Sequence, residues 1–166
     1  MSAGGSHSAE SLVQRGFDGL APKFREALEA ALEECNEQGL DAYAYETLRS
    51  DELQELYYAR GRTDIDGEFP LGHTVTNAKS AQYSWHFFGC AADVISKSKG
   101  WNVSDSWRRQ VNIIMRKHGL ACGADWPHPD FPHVQWAKCR RSPSDEARRL
   151  YAQGGLPEVW AAVGAD

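Results

Sequence analysis

Two histidines and two aspartates in this sequence stand at spacings that suit holding a metal ion and working beside it. Catalytic zinc takes three protein ligands of the histidine and carboxylate type and keeps a fourth position for water. The segment Ser84-Trp85-His86-Phe87-Phe88-Gly89-Cys90-Ala91-Ala92-Asp93 offers a histidine and a carboxylate seven residues apart, with Gly89 between them to let the chain bend. A third ligand must come from elsewhere in the chain. Asp130-Phe131-Pro132-His133 supplies one, together with a spare carboxylate three residues ahead of the histidine. That carboxylate matters because the water needs a base to take its proton and the leaving amine needs an acid. Asp130 is placed to serve as both, and Pro132 fixes the backbone directly before His133.

The third ligand has a competitor. Asp125-Trp126-Pro127-His128 repeats the carboxylate, aromatic, proline and histidine order five residues earlier, so spacing alone leaves His128 and His133 both open. The other histidines have plainer readings. His118 precedes Gly119 in the last turn of an expected helix, where the dipole favours a cation. His7 and His73 stand in loop-like sequence without partners. Arg49 at a strand exit reads equally well as a salt-bridging residue or as part of a site. Most Trp and Tyr residues are expected in the core, with Trp126 and Trp136 the exceptions because they flank the proposed ligands.

The elements that must position these residues are legible in outline. Pro at the first turn, an apolar stripe of Phe24, Leu28, Ala31, Leu32 and Cys35, and a closing Gly39 predict an amphipathic helix over 22–39. Residues 40–48 alternate Ala42 and Ala44 with Tyr43, Tyr45 and Thr47, which is strand periodicity. Asp51 caps a short helix carrying Leu53, Leu56 and Tyr57 and closing at Gly61. Residues 61–82 read as a long loop of the functional kind, leading into His86. A strand is expected over 91–96. Ser104 caps a second amphipathic helix with Trp107, Val111, Ile114 and Met115 inward and Gly119 as its stop. Three prolines keep 126–132 irregular, and a strand begins at His133. Helices are expected over 144–153 and from about Pro157, packed on the domain, because about twenty residues cannot build a core of their own. Without repeat or linker, the expectation is one α+β domain over 21–166 after a flexible arm over 1–20, with a small antiparallel sheet flanked by helices and the zinc site at the sheet face.

Composition narrows the function classes. With 166 residues, 42% hydrophobic and 25% charged, the chain can bury a real core, and a net charge of -5 argues against a nucleic acid or anionic membrane partner. The basic clusters Arg108-Arg109 and 138–141 read as solvated edges. No apolar run approaches a bilayer span, and the first twenty residues lack a secretion signal. Cytoplasmic synthesis is therefore expected, with no membrane insertion and a monomeric state. Cysteines 35, 90, 122 and 139 show no paired short spacing, so buried free thiols are expected, with a Cys122–Cys139 disulfide as the minority case.

At this point the residues resemble a known family, the zinc peptidases that include D-Ala-D-Ala carboxypeptidases and dipeptidases and the phage L-alanyl-D-glutamate endopeptidases. The family pattern is Ser-x-His, six residues, Asp, and later a carboxylate, two residues and His. Ser84, His86, Asp93, Asp130 and His133 match it position by position. Arg49-Ser50, Gln54 and Tyr58-Ala59-Arg60-Gly61-Arg62-Thr63 resemble the stretch before the metal site, and Thr76-Asn77-Ala78-Lys79 resembles its loop. The resemblance covers about residues 40–137 and departs from the pattern at Asp130, where many members have Glu, and at Cys90, often aliphatic.

The resemblance implies Zn2+ on His86, Asp93 and His133, with Asp130 as general base and acid. It favours His133 over His128, because Asp-Trp normally precedes the true motif. It further implies Arg49 near the scissile carbonyl, where a guanidinium stabilises developing charge, and Ser84 beside the substrate. The expected activity is hydrolysis of a peptide bond in peptidoglycan stem peptides. An endolysin-type L-alanyl-D-glutamate endopeptidase, made in the phage host cytoplasm and acting on the wall after release, is the leading form. A D-Ala-D-Ala carboxypeptidase or dipeptidase is the alternative. A non-catalytic, zinc-stabilised wall-binding module is the reading from another class; three ligands plus a base speak for an open site instead.

Overall fold

The computed structural model describes residues 9–59 and 80–166. Calls that fall on residues 60–79, including the stop at Gly61, most of the long loop and the Thr76-Asn77-Ala78-Lys79 match, lie outside the described residues, as do His7 and His73.

The elements run α1 (Ala9–Leu12), α2 (Pro22–Glu37), β1 (Ala42–Glu46), α3 (Asp51–Ala59), β2 (Ala91–Ser96), α4 (Asp105–Lys117), β3 (Leu120–Cys122), β4 (His133–Trp136), α5 (Asp145–Gly154) and α6 (Leu156–Ala162). The four strands form one antiparallel sheet in the order β1-β2-β4-β3. The fold is α+β, as expected. Short 3-10 turns at Ala81–Tyr83 and Gly123–Asp125 lead into the segments that carry His86 and His133.

One face of the sheet is apolar. Phe24, Leu28, Ala31 and Cys35 of α2 and Val111, Ile114 and Met115 of α4 are buried, together with Ala92 and Val94 of β2 and Val134 of β4. Each of the larger side chains contributes about 1.5–3 kcal/mol by leaving water. Ser104 caps α4 as the sequence predicts, its hydroxyl accepting from the Trp107 amide. Strand β3 was not anticipated. Its three residues follow Gly119, which turns at φ 83°, and three residues are too few to show a period of two.

The tail packs on the domain. Val159 and Ala165 are buried, Trp160 Nε1 donates to Phe88 O at 2.7 Å, and Trp136 Nε1 donates to Val163 O at 2.8 Å. Trp136 therefore anchors the tail and does not line the ligand cluster. The tail also reaches back to α2, where the Lys23 amide donates to Ala165 O. Near the other end of the chain, the Thr47 amide and hydroxyl donate to Gln14 O and Gly16 O at 2.7 and 2.6 Å, and Leu20 is buried. All four cysteines are buried free thiols, so the Cys122–Cys139 pairing is not formed. Burial pushes the Cys35 and Cys122 thiols up to about 11. No described helix is long and apolar enough to cross a membrane.

Candidate metal centre

The opposite face of the sheet carries a row of polar side chains set by strand register. Glu46 of β1 lies across from Asp93 of β2, and Asp93 lies across from His133 of β4. Cross-strand neighbours on one face have Cβ atoms about 5 Å apart, so adjacent side chains meet. The β1 to β2 register shifts between Ala44 and Glu46. Such an irregularity re-aims a side chain, and here it brings a carboxylate beside Asp93.

His86 reaches the row from the turn before β2. That turn closes at Gly89, whose φ of 71° and whose contact with Gly19 O, 2.6 Å from where a Cβ would sit, both require glycine. His86, Asp93 and His133 are all buried, and one ligand atom from each lies within 4.8 Å of the others. His86 Nε2 is 3.4 Å and His133 Nδ1 is 3.8 Å from the same oxygen, Asp93 Oδ1. The outward-facing ring nitrogens are engaged elsewhere: His86 Nδ1 is 2.8 Å from Thr47 O, and His133 Nε2 is 2.9 Å from Gln135 Oε1. A ring nitrogen near a main-chain carbonyl carries the proton, which leaves the other nitrogen's lone pair for a metal.

Electrostatics suit a cation. Burial works to raise the Asp93 carboxyl, but His86, Arg49 and His133 outweigh it and hold it well below the ordinary carboxylate range. Burial, reinforced by His86, lowers His133 to about 4, so its ring is neutral at pH 7 and able to ligate. The half-exposed Asp130 carboxyl approaches from the side, its Oδ2 3.9 Å from His133 Nδ1. Its loss of solvent contact, followed by the charge of Asp93, pushes it up to about 6.

Gly123 seats the Asp130 loop. Its carbonyl accepts from the Asp130 and Trp126 amides, and a Cβ here would fall 2.3 Å from Asp130 O and 3.0 Å from His133 Cβ. The competing His128 is exposed, whereas the Trp126 ring packs against His133 at a tilt of 46°, centroids 4.9 Å apart. The structure thus gathers His133 and leaves His128 out.

Arg49 lies behind the row and is nearly buried. Its Nε bonds Glu46, its Nη1 donates to Gln54 Oε1 at 3.0 Å, and its Nη2 is 3.6 Å from Asp93 Oδ2. The Tyr57 ring packs under the guanidinium at 4.8 Å, and its hydroxyl donates to Glu46 Oε2 at 3.2 Å. Burial opposes the charge on Arg49, but Glu46 and Asp93 raise its pKa overall. The Ser84 hydroxyl accepts from the His86 amide at 3.3 Å, which ties it to the ligand's own turn.

Sequence reasoning missed Glu46, Thr47, Gln135 and Gly123. Glu46 sits at the end of an alternating strand pattern and carried no motif. The Thr47 contribution is a main-chain carbonyl, which no side-chain pattern reveals. Gln135, two residues beyond His133 on a strand, was the one with a readable signal, since alternation puts both on the same face.

A buried His-Asp-His cluster on the face of a small α+β sheet, with a carboxylate beside it, is a group that could hold a metal ion. Residues 78–136 match the model of a peptidase family described as D-alanyl-D-alanine carboxypeptidase, a stretch that contains His86, Asp93, Asp130 and His133. The resemblance read from the sequence is borne out, and with it the reading of the chain as a peptidase. The fold is similar to that in the crystal structure of Serratia marcescens L-Ala D-Glu endopeptidase ChiX, at 18% identity and a TM-score of 0.55 over 76% of this chain and 87% of that one. A structure of the LdcB LD-carboxypeptidase is more distant, at 16% identity and a TM-score of 0.49 over 86% of this chain and 68% of that one. No curated protein matches the chain.

Proposed function

We propose that this protein is a zinc metallopeptidase that hydrolyses a peptide bond in peptidoglycan stem peptides, and that the bond joins L-Ala to D-Glu. The observation that carries the metal is the convergence of His86 Nε2 and His133 Nδ1 on Asp93 Oδ1 while both outward nitrogens are engaged. Two neutral imidazoles and one carboxylate form a zinc donor set with room for a fourth ligand. Bound there, zinc would supply a Lewis acid that polarises the scissile carbonyl and makes water acidic near neutral pH.

The protein's own groups supply the remaining steps. Asp130 takes the proton from the attacking water, a role suited to a carboxylate lifted toward neutrality. The same carboxyl then returns the proton to the leaving amine. Arg49 directs its positive charge toward the Asp93 side of the site, where it stabilises negative charge developing on the carbonyl oxygen. Glu46, Gln54 and Tyr57 hold the guanidinium in place. Ser84 shapes the turn that presents His86.

The choice of bond draws on the similarity in fold to the L-Ala D-Glu endopeptidase. The matching family model supports release of the terminal D-Ala as the second reading. Mass spectrometry of fragments released from a defined peptidoglycan separates them. New D-Glu amino termini are expected; loss of a single D-Ala would replace the endopeptidase reading, and no cleavage by the zinc-loaded protein would leave a non-catalytic module.

A further inference from the structure

The two candidate ligand histidines are oriented by different means. His86 leans on a main-chain carbonyl, Thr47 O, which can only accept. His133 leans on the Gln135 side-chain amide, 2.9 Å from its Nε2, and an amide can face a ring nitrogen with either its oxygen or its NH2. The oxygen leaves the proton on Nε2 and a lone pair on Nδ1. The NH2 would force the proton onto Nδ1, the atom 3.8 Å from Asp93 Oδ1, and abolish ligation there.

The choice is made by a third group. The other end of the amide lies 2.9 Å from Arg140 O. A main-chain carbonyl only accepts, so the amide atom facing it must be the NH2, and the oxygen must face His133. Arg140 O is itself held, because the Trp85 indole donates to it at 2.6 Å. Trp85 directly precedes His86 and is buried. One carbonyl in the turn after β4 thereby couples both ligand-bearing segments.

We infer that Gln135 is a positioning residue that sets the tautomer of His133, with its own orientation dictated by Arg140 O and Trp85. The effect on metal rests on the zinc reading above; the tautomer does not. Nitrogen-proton correlation spectra of metal-free wild-type protein are expected to show His133 protonated at Nε2, and observation of the Nδ1 proton instead would overturn the inference whatever the protein binds. Gln135→Leu is expected to give mixed tautomers and to lower zinc affinity about 10- to 100-fold, as measured by chelator competition. Gln135→Glu keeps an acceptor toward His133 and is expected to retain the Nε2 proton, at some cost in stability because its second oxygen faces the Arg140 carbonyl in place of the amide donor. Unchanged zinc affinity in a folded Gln135→Leu protein would overturn the inference while leaving the metal site standing. Wild-type protein that binds no zinc would sink the metal reading and leave the tautomer result to decide this one. Should Gln135→Leu fail to fold, the wild-type spectrum and a Trp85→Phe variant, expected to loosen the same preference, carry the test.

Discussion

The two faces of the central sheet are built on opposite principles. On the helix side, Phe24, Leu28, Ile114 and Met115 meet strand residues such as Val94 and Val134 in a packed apolar layer. Any side chain of similar size and polarity fits such a layer at modest cost. On the other side, Glu46, Asp93 and His133 stand in register and are joined to Arg49, Gln54, Tyr57 and Gln135 through directional bonds. There, the identity and protonation of each atom matter, because a buried polar group left without its partner costs more than the bond itself contributes. The core side adds stability with little chemical specificity; the polar side also sets what the protein can hold.

That contrast can be broken at Asp93. It faces two histidines and Arg49, and Asp93→Ala should abolish stoichiometric zinc and lower stability by up to about 3–5 kcal/mol, because the buried Arg49 guanidinium loses one of its two carboxylate partners. Metal analysis together with urea denaturation checks both effects, and retained zinc would contradict the ligand assignment. Asp130→Asn should act on turnover alone. A loss of about 10²–10⁴-fold is expected, with zinc content and melting temperature unchanged because that side chain is half-exposed. Full activity in this variant would remove Asp130 from the mechanism.

The apolar face should respond the other way. Leu28→Ala is expected to lower unfolding free energy by about 2–5 kcal/mol while the remaining folded protein binds zinc with wild-type affinity. A matching fall in affinity would show that the faces are not independent. The smallest effect is expected away from both, at Asp41. Its carboxylate accepts from the Ser98 amide and hydroxyl and from the Ser96 hydroxyl, and these bonds lower it to about 2. A depressed carboxyl stabilises the fold above its ordinary pKa of about 4, and the contribution fades as pH falls through about 2. The melting-temperature gap between wild type and Asp41→Asn should therefore be constant above about pH 4 and close on acidification.

The two faces also differed in legibility. The α2 stripe and the cap at Ser104 were readable because helix periodicity and capping are local. His86, Asp93, Asp130 and His133 were readable because the motif is written in consecutive stretches. The partners of those residues were not. Glu46 meets Asp93 only through a register shift between two strands almost fifty residues apart in sequence, and β3 was too short to declare itself.

From residue order alone came the element types, the α+β class and a shortlist holding both His128 and His133, since backbone preferences and spacing act over a few neighbours. Family resemblance then favoured His133. Only tertiary structure buried that histidine against Asp93, left His128 in solvent, placed a glycine where the Asp130 loop needs room, and brought Arg140 O to the amide beside His133. Those outcomes depend on which surfaces meet across the sheet, and a hydrogen bond between distant segments has no local signature to read.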